Sequence, residues 1–394
     1  MDINGRGKMR LLNKFKGLSL FSNVGIAETY FDEIGVDIVL ANEIEEKRCM
    51  FFSFQYPQTE MIVGDIRNQE IQNKICQLSK AKGVDFIMAT PPCQGMSSVG
   101  KMDPFDPRNH LITNTIDIIL NIKPKYVFLE NVPEQLITKI TYNSKTILIP
   151  EYIKIKLSEY YSFSDLKTVN AKDYSVPQSR ERSIYLLTRK DQKVKWTFPE
   201  KDEKVITLRE AIGHLPSVDP FINDISNDQL YQIFPDYDKK LKTALEISPL
   251  FKPLPHVYRQ VFSMRHTPTG KSALENIFEY RPKKIDGSLV KGFKNTYKRM
   301  SWDKPCNTIT TYNRTIGSQE NVHPGRYIGE NLSGISIYSD PRVLTLYEIL
   351  ILFSLPHNWK TPDWATENFI RTVIGEGIPP LLVKKIFQEL VKKL

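Results

Sequence analysis

Cysteine is scarce in this 394-residue chain: Cys49, Cys76, Cys93 and Cys306 lie far apart and form no Cys-x-x-Cys pair. A disulfide framework and a structural zinc site both need closer or more numerous cysteines. Cys49, Cys76 and Cys306 therefore read as small buried or half-buried hydrophobes. Histidine is also sparse; His266 and His323 read as structural or phosphate-contacting, no pairing suggests catalysis, and no bound metal is expected. Long apolar runs are missing. None reaches the ~18 to 20 residues of a membrane span, and the opening MDINGRGKMRLLNKFKG lacks the apolar core of a secretory signal, so the expected compartment is the cytoplasm, with no membrane partner. Acidic residues are outnumbered, 45 against 54 Lys and Arg, for a net charge of +9. Such a surface attracts polyanions such as nucleic acid, although a solvated basic surface would read the same way.

What is present is pattern. In the first half, the apolar runs LSLFS (18–22), DIVLANE (37–43), EMIVGD (60–65), VDFIMAT (84–90) and KYVFLENV (125–132) read as strands. Segments with helical spacing, such as NHLITNTIDIILNI, separate them. That alternation predicts an α/β fold built on a doubly wound, mostly parallel sheet, with ligands gathered at the carboxyl ends of its strands. After RSIYLLTRK (182–190) the charged DQKVKWTFPEKDEKV reads as a linker and TLREAIGHLP as a short helix and turn. From about residue 215 to 335 periodicity is weak and Pro, Gly, Asn, Lys and Tyr are frequent, which predicts a smaller, irregular, loop-rich domain. Regular pattern returns at DPRVLTLYEILILFSLP, and in the final segment Leu382, Ile386 and Leu390 share one helical face. The expected division is 1–195, 196–338 and 339–394, the last returning to the first.

The chemistry-bearing residues fall at the predicted strand ends. LSLFSNVGIAE (18–28) is a strand, a glycine-containing turn and a helix, which suits a nucleotide held against backbone but suits a packing turn equally. Glu43 ends the second strand, where a carboxylate can accept hydrogen bonds from two ribose hydroxyls, and Asp65 ends the third. Each acid alone could be a solvated charge or a helix cap; turn, acid and acid on consecutive strand ends suit an adenosine-containing cofactor. Cys93 follows the fourth strand. Pro91 and Pro92 fix φ near −65° and remove two donors, so the loop holds one shape and aims the thiol, a preorganised nucleophile. Glu130 ends the fifth strand, where burial would raise its pKa and make it a proton donor. Arg180 and Arg182, two apart in YSVPQSRERS, would project from one face of a strand, as a working pair or as solvated edge charges.

Together PPCQ, ENV and QSRER, in this order behind the nucleotide-binding pattern, resemble the cytosine-5 DNA methyltransferases of bacterial restriction-modification type. The blocks of that family run through about residues 15–190 and 340–385, leaving the middle as its variable target-recognition region. The resemblance implies the S-adenosylmethionine-dependent methyltransferase fold and S-adenosyl-L-methionine as cofactor. It implies catalysis by a covalent Cys93 adduct at carbon 6 of a cytosine flipped out of the duplex. Glu130 would contact ring nitrogen 3 and the exocyclic amine, and Arg182 the carbonyl at carbon 2, with Arg180 supporting it or holding phosphate. On the cofactor it implies Phe21 near the adenine, Gly25 in the turn, Glu43 and Ile44 on the ribose, and Asp65 and Ile66 on the adenine. Pro91, Leu111 and Glu376 would complete that pocket. Ser97 and its neighbours in GMSSVGK would form a loop closing over the base, hinged at Gly95 and Gly100.

Two positions depart from the family pattern. Where Phe-x-Gly-x-Gly is usual, Phe21 to Gly25 reads FSNVG, so Asn23 replaces a glycine; where Gly-Asn-x-Val-Pro is usual, the chain has GEGIP, placing Glu376 for an asparagine. Asn tolerates positive φ, so the turn can form, while its side chain would crowd the methionine part of the cofactor. The added acid at 376 removes donors there. The expected partner is double-stranded DNA, read by a monomer paired with a restriction endonuclease. Gln94, Ser97, Gln178, Thr308 and Ile309 are expected near the flipped base, and Lys291, Lys294 and Arg299 of the basic stretch RPKKIDGSLVKGFKNTYKRM on phosphates. Base-edge readers are sought among Arg259, Arg265, Asn295, Asn313 and Arg314. Competing readings are a tRNA cytosine-5 methyltransferase of the same fold, a DNA-binding regulator without catalysis, and a dinucleotide-dependent oxidoreductase. The last gives no joint role to Cys93, Glu130 and Arg182.

Overall fold

The apolar runs of the first half become one eight-stranded sheet in the computed structural model, which describes residues 15–92 and 111–394 and the backbone of a short strand pair, Ile3–Asn4 with Lys8–Met9. Its strands are β1 (Phe15–Leu20), β2 (Val36–Glu43), β3 (Glu60–Val63), β4 (Phe86–Ala89) and β5 (Tyr126–Asn131), followed by β6 (Tyr161–Phe163), β7 (Lys167–Asn170) and β8 (Glu181–Arg189). They lie in the order β6-β8-β5-β4-β1-β2-β3, with β7 also on β8. The pairings among β1 to β5 are parallel, and β8 runs antiparallel to its three partners. The sheet is thus mostly parallel, as the alternating pattern predicts. All of β5 is buried, Glu130 and Asn131 included, as expected of a strand covered on both faces. From β1 the chain winds outward through β2 and β3 and then crosses back to β4, so the order reverses between β1 and β4 and a crevice opens at their carboxyl ends.

Helices α1 (Glu46–Gln55), α2 (Gln69–Lys82), α3 (Leu111–Ile122) and α4 (Ile149–Leu157) cover this sheet. Their ends are written in the sequence. The Asn68 side chain accepts from the Glu70 amide at the start of α2, and Gly83 at φ 66° ends it in the left-handed conformation that glycine adopts without strain.

The middle of the chain is more helical than its weak periodicity predicts. After α5 (Leu208–Ile212) come α6 (Asn227–Ile233), α7 (Tyr237–Ile247) and α8 (Tyr258–Arg265); irregular backbone dominates only beyond residue 266. These helices are short, and α6 and α8 each bury few apolar side chains, so no long stripe marks them. The capping box in which Ser226 and Gln229 exchange hydrogen bonds is the sequence signal that was there to find. The segment after β8 is also less free than a linker, because Trp196 is buried and its indole N–H donates to the Ile386 carbonyl at 3.0 Å.

The chain then returns to the sheet through α9 (Leu346–Leu352), α10 (Glu367–Glu376) and α11 (Pro380–Val391). Leu382, Ile386 and Leu390 are fully buried, the face their spacing predicts. Beside them Phe387 meets the rings of Phe31, Phe86, Phe128 and Trp196 at centroid distances of 4.7 to 5.6 Å. Burying one such ring contributes ~1.5–3 kcal/mol, so this cluster is a main anchor of the returning segment on the sheet. Among the described residues no helix is long and apolar enough to cross a membrane.

Candidate active site

Glu130 ends β5 and Arg182 begins β8, and antiparallel register brings them together. Ile184 lies opposite Glu130, so Arg182, two residues along, projects from the same face as its diagonal neighbour. The Arg182 Nε donates to Glu130 Oε1 at 2.7 Å, with both side chains about nine-tenths buried. Burial pushes the Glu130 carboxyl above its ordinary range although Arg182 and Arg180 pull the other way. A carboxyl so placed holds a proton more readily than a free glutamate, while Arg182 fixes its orientation.

The turn beside this pair is held by backbone and side-chain bonds. Thr90 Oγ1 donates to the Phe21 carbonyl at 3.2 Å, and the Asn131 amide donates to the Pro91 carbonyl at 2.9 Å. Strands β1, β4 and β5 are thereby tied at their ends just where Pro91 and Pro92 lead to Cys93. Cys93, Gln94 and Ser97, with the expected hinges Gly95 and Gly100, lie outside the described residues.

On the other side of the crevice, Glu43 accepts from the backbone amides of Asn23 at 3.0 Å, Ile44 at 2.8 Å and Glu45 at 3.1 Å. Its carboxylate locks the turn after β1 to the start of α1. Asn23 takes φ 50°, so the glycine-like turn does form with asparagine in it. Gly25 serves packing: a β-carbon there would lie 2.1 Å from the Tyr56 ring, whose hydroxyl donates to the Gly25 carbonyl at 2.6 Å. Asp65 is paired with Arg67 through bonds of 2.6 to 3.0 Å, which hold its carboxyl below the usual range, and Ile66 is buried beneath it.

One cavity of about 910 Å³ connects the two sides. Its wall takes in Phe21, Glu43, Ile44, Asp65 and Ile66 at one end, Pro91, Leu111 and Glu376 along its length, and Glu130, Arg180, Arg182 and Thr308 at the other. Gly25, Gln178 and Ile309 stand behind it.

Several expected contacts need correction. Arg180 cannot hold phosphate, because it is buried and donates to the carbonyls of Ile309 at 2.9 Å, Gly375 at 2.8 Å and Gly377 at 2.7 Å. It fastens the 308–311 segment to the end of α10. Gln178 is buried between the Leu352 carbonyl and the Ile309 amide, and Ile309 is buried with it, so neither presents a surface to DNA. Arg299 is fully buried: its guanidinium serves the carbonyls of Met264, His323, Ser339 and Asp340, so it organises the middle region's core and makes no phosphate contact. Asn313 is likewise engaged inside, with Thr310 and Arg371, and is no base reader. Lys291, Lys294 and Arg314 are exposed, as is Thr308, whose hydroxyl donates to the Ser179 carbonyl at 2.8 Å.

The family model for C-5 cytosine-specific DNA methylases matches residues 15–392. The chain belongs to that family. Among these methylases it is 40% identical over 380 residues to the Type II methyltransferase M1.HgaI of Avibacterium volantium, covering 95% of this chain and 97% of the relative. It is 26% identical to the Type II methyltransferase M.XorII of Xanthomonas oryzae pv. oryzae, covering 96% of this chain and 85% of that one. A crystal structure of a DNA modification methyltransferase encoded within an E. coli prophage shares the fold at a TM-score of 0.62 and 20% identity, covering 96% of this chain and 99% of its own. The structure of Spodoptera frugiperda DNMT2 does so at 0.57 and 17%, with the same coverage.

Three further residues of this methylase matter to the site without having been picked out in the sequence. Asn131 fixes the Pro91 carbonyl, and its place inside the ENV block was the available signal. Glu28, in the wall of the cavity, is buried; Ser19 Oγ donates to its Oε1 at 2.6 Å, and its Oε2 has no partner among the described residues. Burial raises its carboxyl to about 7, partly opposed by the Ser19 bond. Arg48 on α1 also reaches the wall. An acid in the apolar turn VGIAE, and a basic residue one helical turn past Glu43, were visible but carried no signature.

Proposed function

We propose that this methylase transfers a methyl group to carbon 5 of a cytosine turned out of duplex DNA, with S-adenosyl-L-methionine as donor and Cys93 as transient covalent nucleophile. The observation that carries the reading is the buried Glu130–Arg182 pair, 2.7 Å apart, in the same cavity wall as Glu43 and beside the turn that leads to Cys93. The wall also fits the cofactor: apolar Phe21, Ile66 and Leu111 suit an adenine, Glu43 suits a ribose, and Asn23 presents a buried, unpartnered Oδ1. Bound there, the cofactor supplies an electrophilic methyl group.

The residues of the chain do the rest. Carbon 5 of cytosine is a poor nucleophile until the Cys93 thiolate adds to carbon 6. Glu130, with its raised pKa, holds a proton for ring nitrogen 3 and so stabilises the charge that builds on the ring. Arg182 keeps that carboxyl oriented and offers its remaining donors to the carbonyl at carbon 2. Loss of the carbon 5 proton and expulsion of the thiolate return the enzyme. The base is brought in from DNA held by the exposed lysines 291 and 294, flanking the exposed Phe293. The enzyme acts in the cytoplasm as a monomer, in keeping with a site built from one chain. Relatives named as Type II methyltransferases support pairing with a restriction endonuclease.

Bisulfite sequencing of DNA from bacteria expressing the protein tests this directly. Protected cytosines in one recurring sequence are expected. Unprotected DNA, together with methyl transfer to tRNA in a parallel assay, would replace this reading with the RNA one.

A further inference from the structure

The two departures from the family's pattern, Asn23 and Glu376, come together in space. Asn23 gives its backbone amide to Glu43 and its side-chain amide to the Val373 carbonyl at 3.1 Å, leaving Oδ1 buried and without a partner among the described residues. Glu376 ends α10, and its Oε2 lies 2.8 Å from Nη1 of Arg48, which also gives Nε to Glu45 at 3.0 Å. Arg48 and Glu376 are partly shielded, with side-chain exposures of 17% and 27%, and all three residues line the cavity. The cavity wall therefore offers a fixed cation, a fixed anion and a neutral acceptor together. Burial disfavours the Arg48 charge, but Glu376, Glu43 and Glu45 outweigh it and keep the guanidinium firmly protonated.

An α-amino acid presents the complementary pattern, with an ammonium and a carboxylate on one carbon. We propose that Arg48, Glu376 and Asn23 form the seat for the amino-acid end of the cofactor, Arg48 binding its carboxylate and Glu376 with Asn23 Oδ1 binding its ammonium. The assignment rests on the cofactor reading of the cavity. On it, the asparagine and glutamate that replace the usual glycine and asparagine act jointly with Arg48 as a substituted recognition set. The lost amide donors are replaced by a guanidinium from α1, and the added acid is neutralised by that same group.

The test is calorimetric and needs no turnover. The full-length protein is titrated with S-adenosylhomocysteine, with its analogue lacking only the carboxylate (an aminopropyl thioether) and with its analogue lacking only the amine (a carboxypropyl thioether). Arg48→Gln should weaken S-adenosylhomocysteine and the carboxypropyl analogue by about tenfold or more while leaving the aminopropyl analogue within about twofold. Glu376→Gln, nearly the same shape, should weaken the aminopropyl analogue about tenfold and spare the carboxypropyl one. Equal weakening of the two analogues in Glu376→Gln, or no change in either variant, would overturn the proposal. Failure of the unmodified protein to bind any of the three would instead overturn the cofactor reading beneath it.

Discussion

The cavity at the sheet ends and the basic surface of the middle region use charge in opposite ways. At the cavity, Glu130, Arg182 and Glu43 are each held by two or more elements and almost wholly removed from water. On the basic surface, Lys291 and Lys294 stand exposed around Phe293, which is 83% exposed. The first arrangement fixes atoms where a reaction needs them; the second leaves side chains free to meet a polyanion whose sequence differs from one relative to the next. Arg299 bridges the two styles: it lies in the most basic stretch of the sequence, yet it is the buried hub of the middle region's core.

That contrast can be broken at four places. Cys93→Ser should lower methyl transfer by ~10⁴-fold or more, because a neutral hydroxyl replaces a thiolate, while DNA binding measured by gel shift stays within about threefold. Activity near that of the unmodified enzyme would remove Cys93 from the mechanism. Arg299→Ala should destabilise the protein by ~3 kcal/mol or more in urea unfolding, since four backbone carbonyls lose a buried donor; a drop in DNA affinity at unchanged stability would instead return Arg299 to the phosphate surface. The double change Lys291→Ala with Lys294→Ala should flatten the salt dependence of DNA binding by ~2 in log–log slope and weaken binding about tenfold at moderate salt, with the methylated sequence unchanged. A shifted recognition sequence would make these lysines readers of bases.

The smallest expected effect is a pH dependence. Glu28 has its carboxyl raised from 4.5 to about 7, so between those values the folded protein keeps a proton that the unfolded chain has released. Folding stability from this group is therefore full below about 4.5 and is lost as pH rises through about 7. Glu28→Gln should raise the unfolding free energy at pH 8 by ~2 kcal/mol and leave it nearly unchanged at pH 4.5. Parallel stability curves for the two proteins would show that the buried carboxyl is matched by a partner.

Strand-end chemistry was legible because a parallel sheet translates sequence into position with few choices. An apolar run ending in Glu43 or Glu130 has only one end at which a polar group can face the crevice. The diagonal meeting of Glu130 with Arg182 needed one further fact, the antiparallel return of β8, which the run alone does not state. The middle region resisted reading because a basic residue's destination is set by tertiary contacts. Nothing local separates Lys291, which is exposed, from Arg299, eight residues on and fully buried. Gln178 and Arg180 misled for a related reason, since a motif marks a residue as needed at a site without saying whether it touches the ligand or holds the wall.

The Arg180 clasp also bears on how such enzymes can acquire new targets. Its guanidinium joins the carbonyl of Ile309, contributed by the middle region, to those of Gly375 and Gly377 in the returning segment. Gly375 has no room for a side chain, because a β-carbon would lie 2.5 Å from the Thr310 backbone. The seam is made of main-chain atoms, so it is indifferent to which side chains the recognition surface carries. A chimera that imports another recognition surface but keeps residues 308–311 would inherit a ready-made joint, whereas one cut inside that stretch would have to rebuild it.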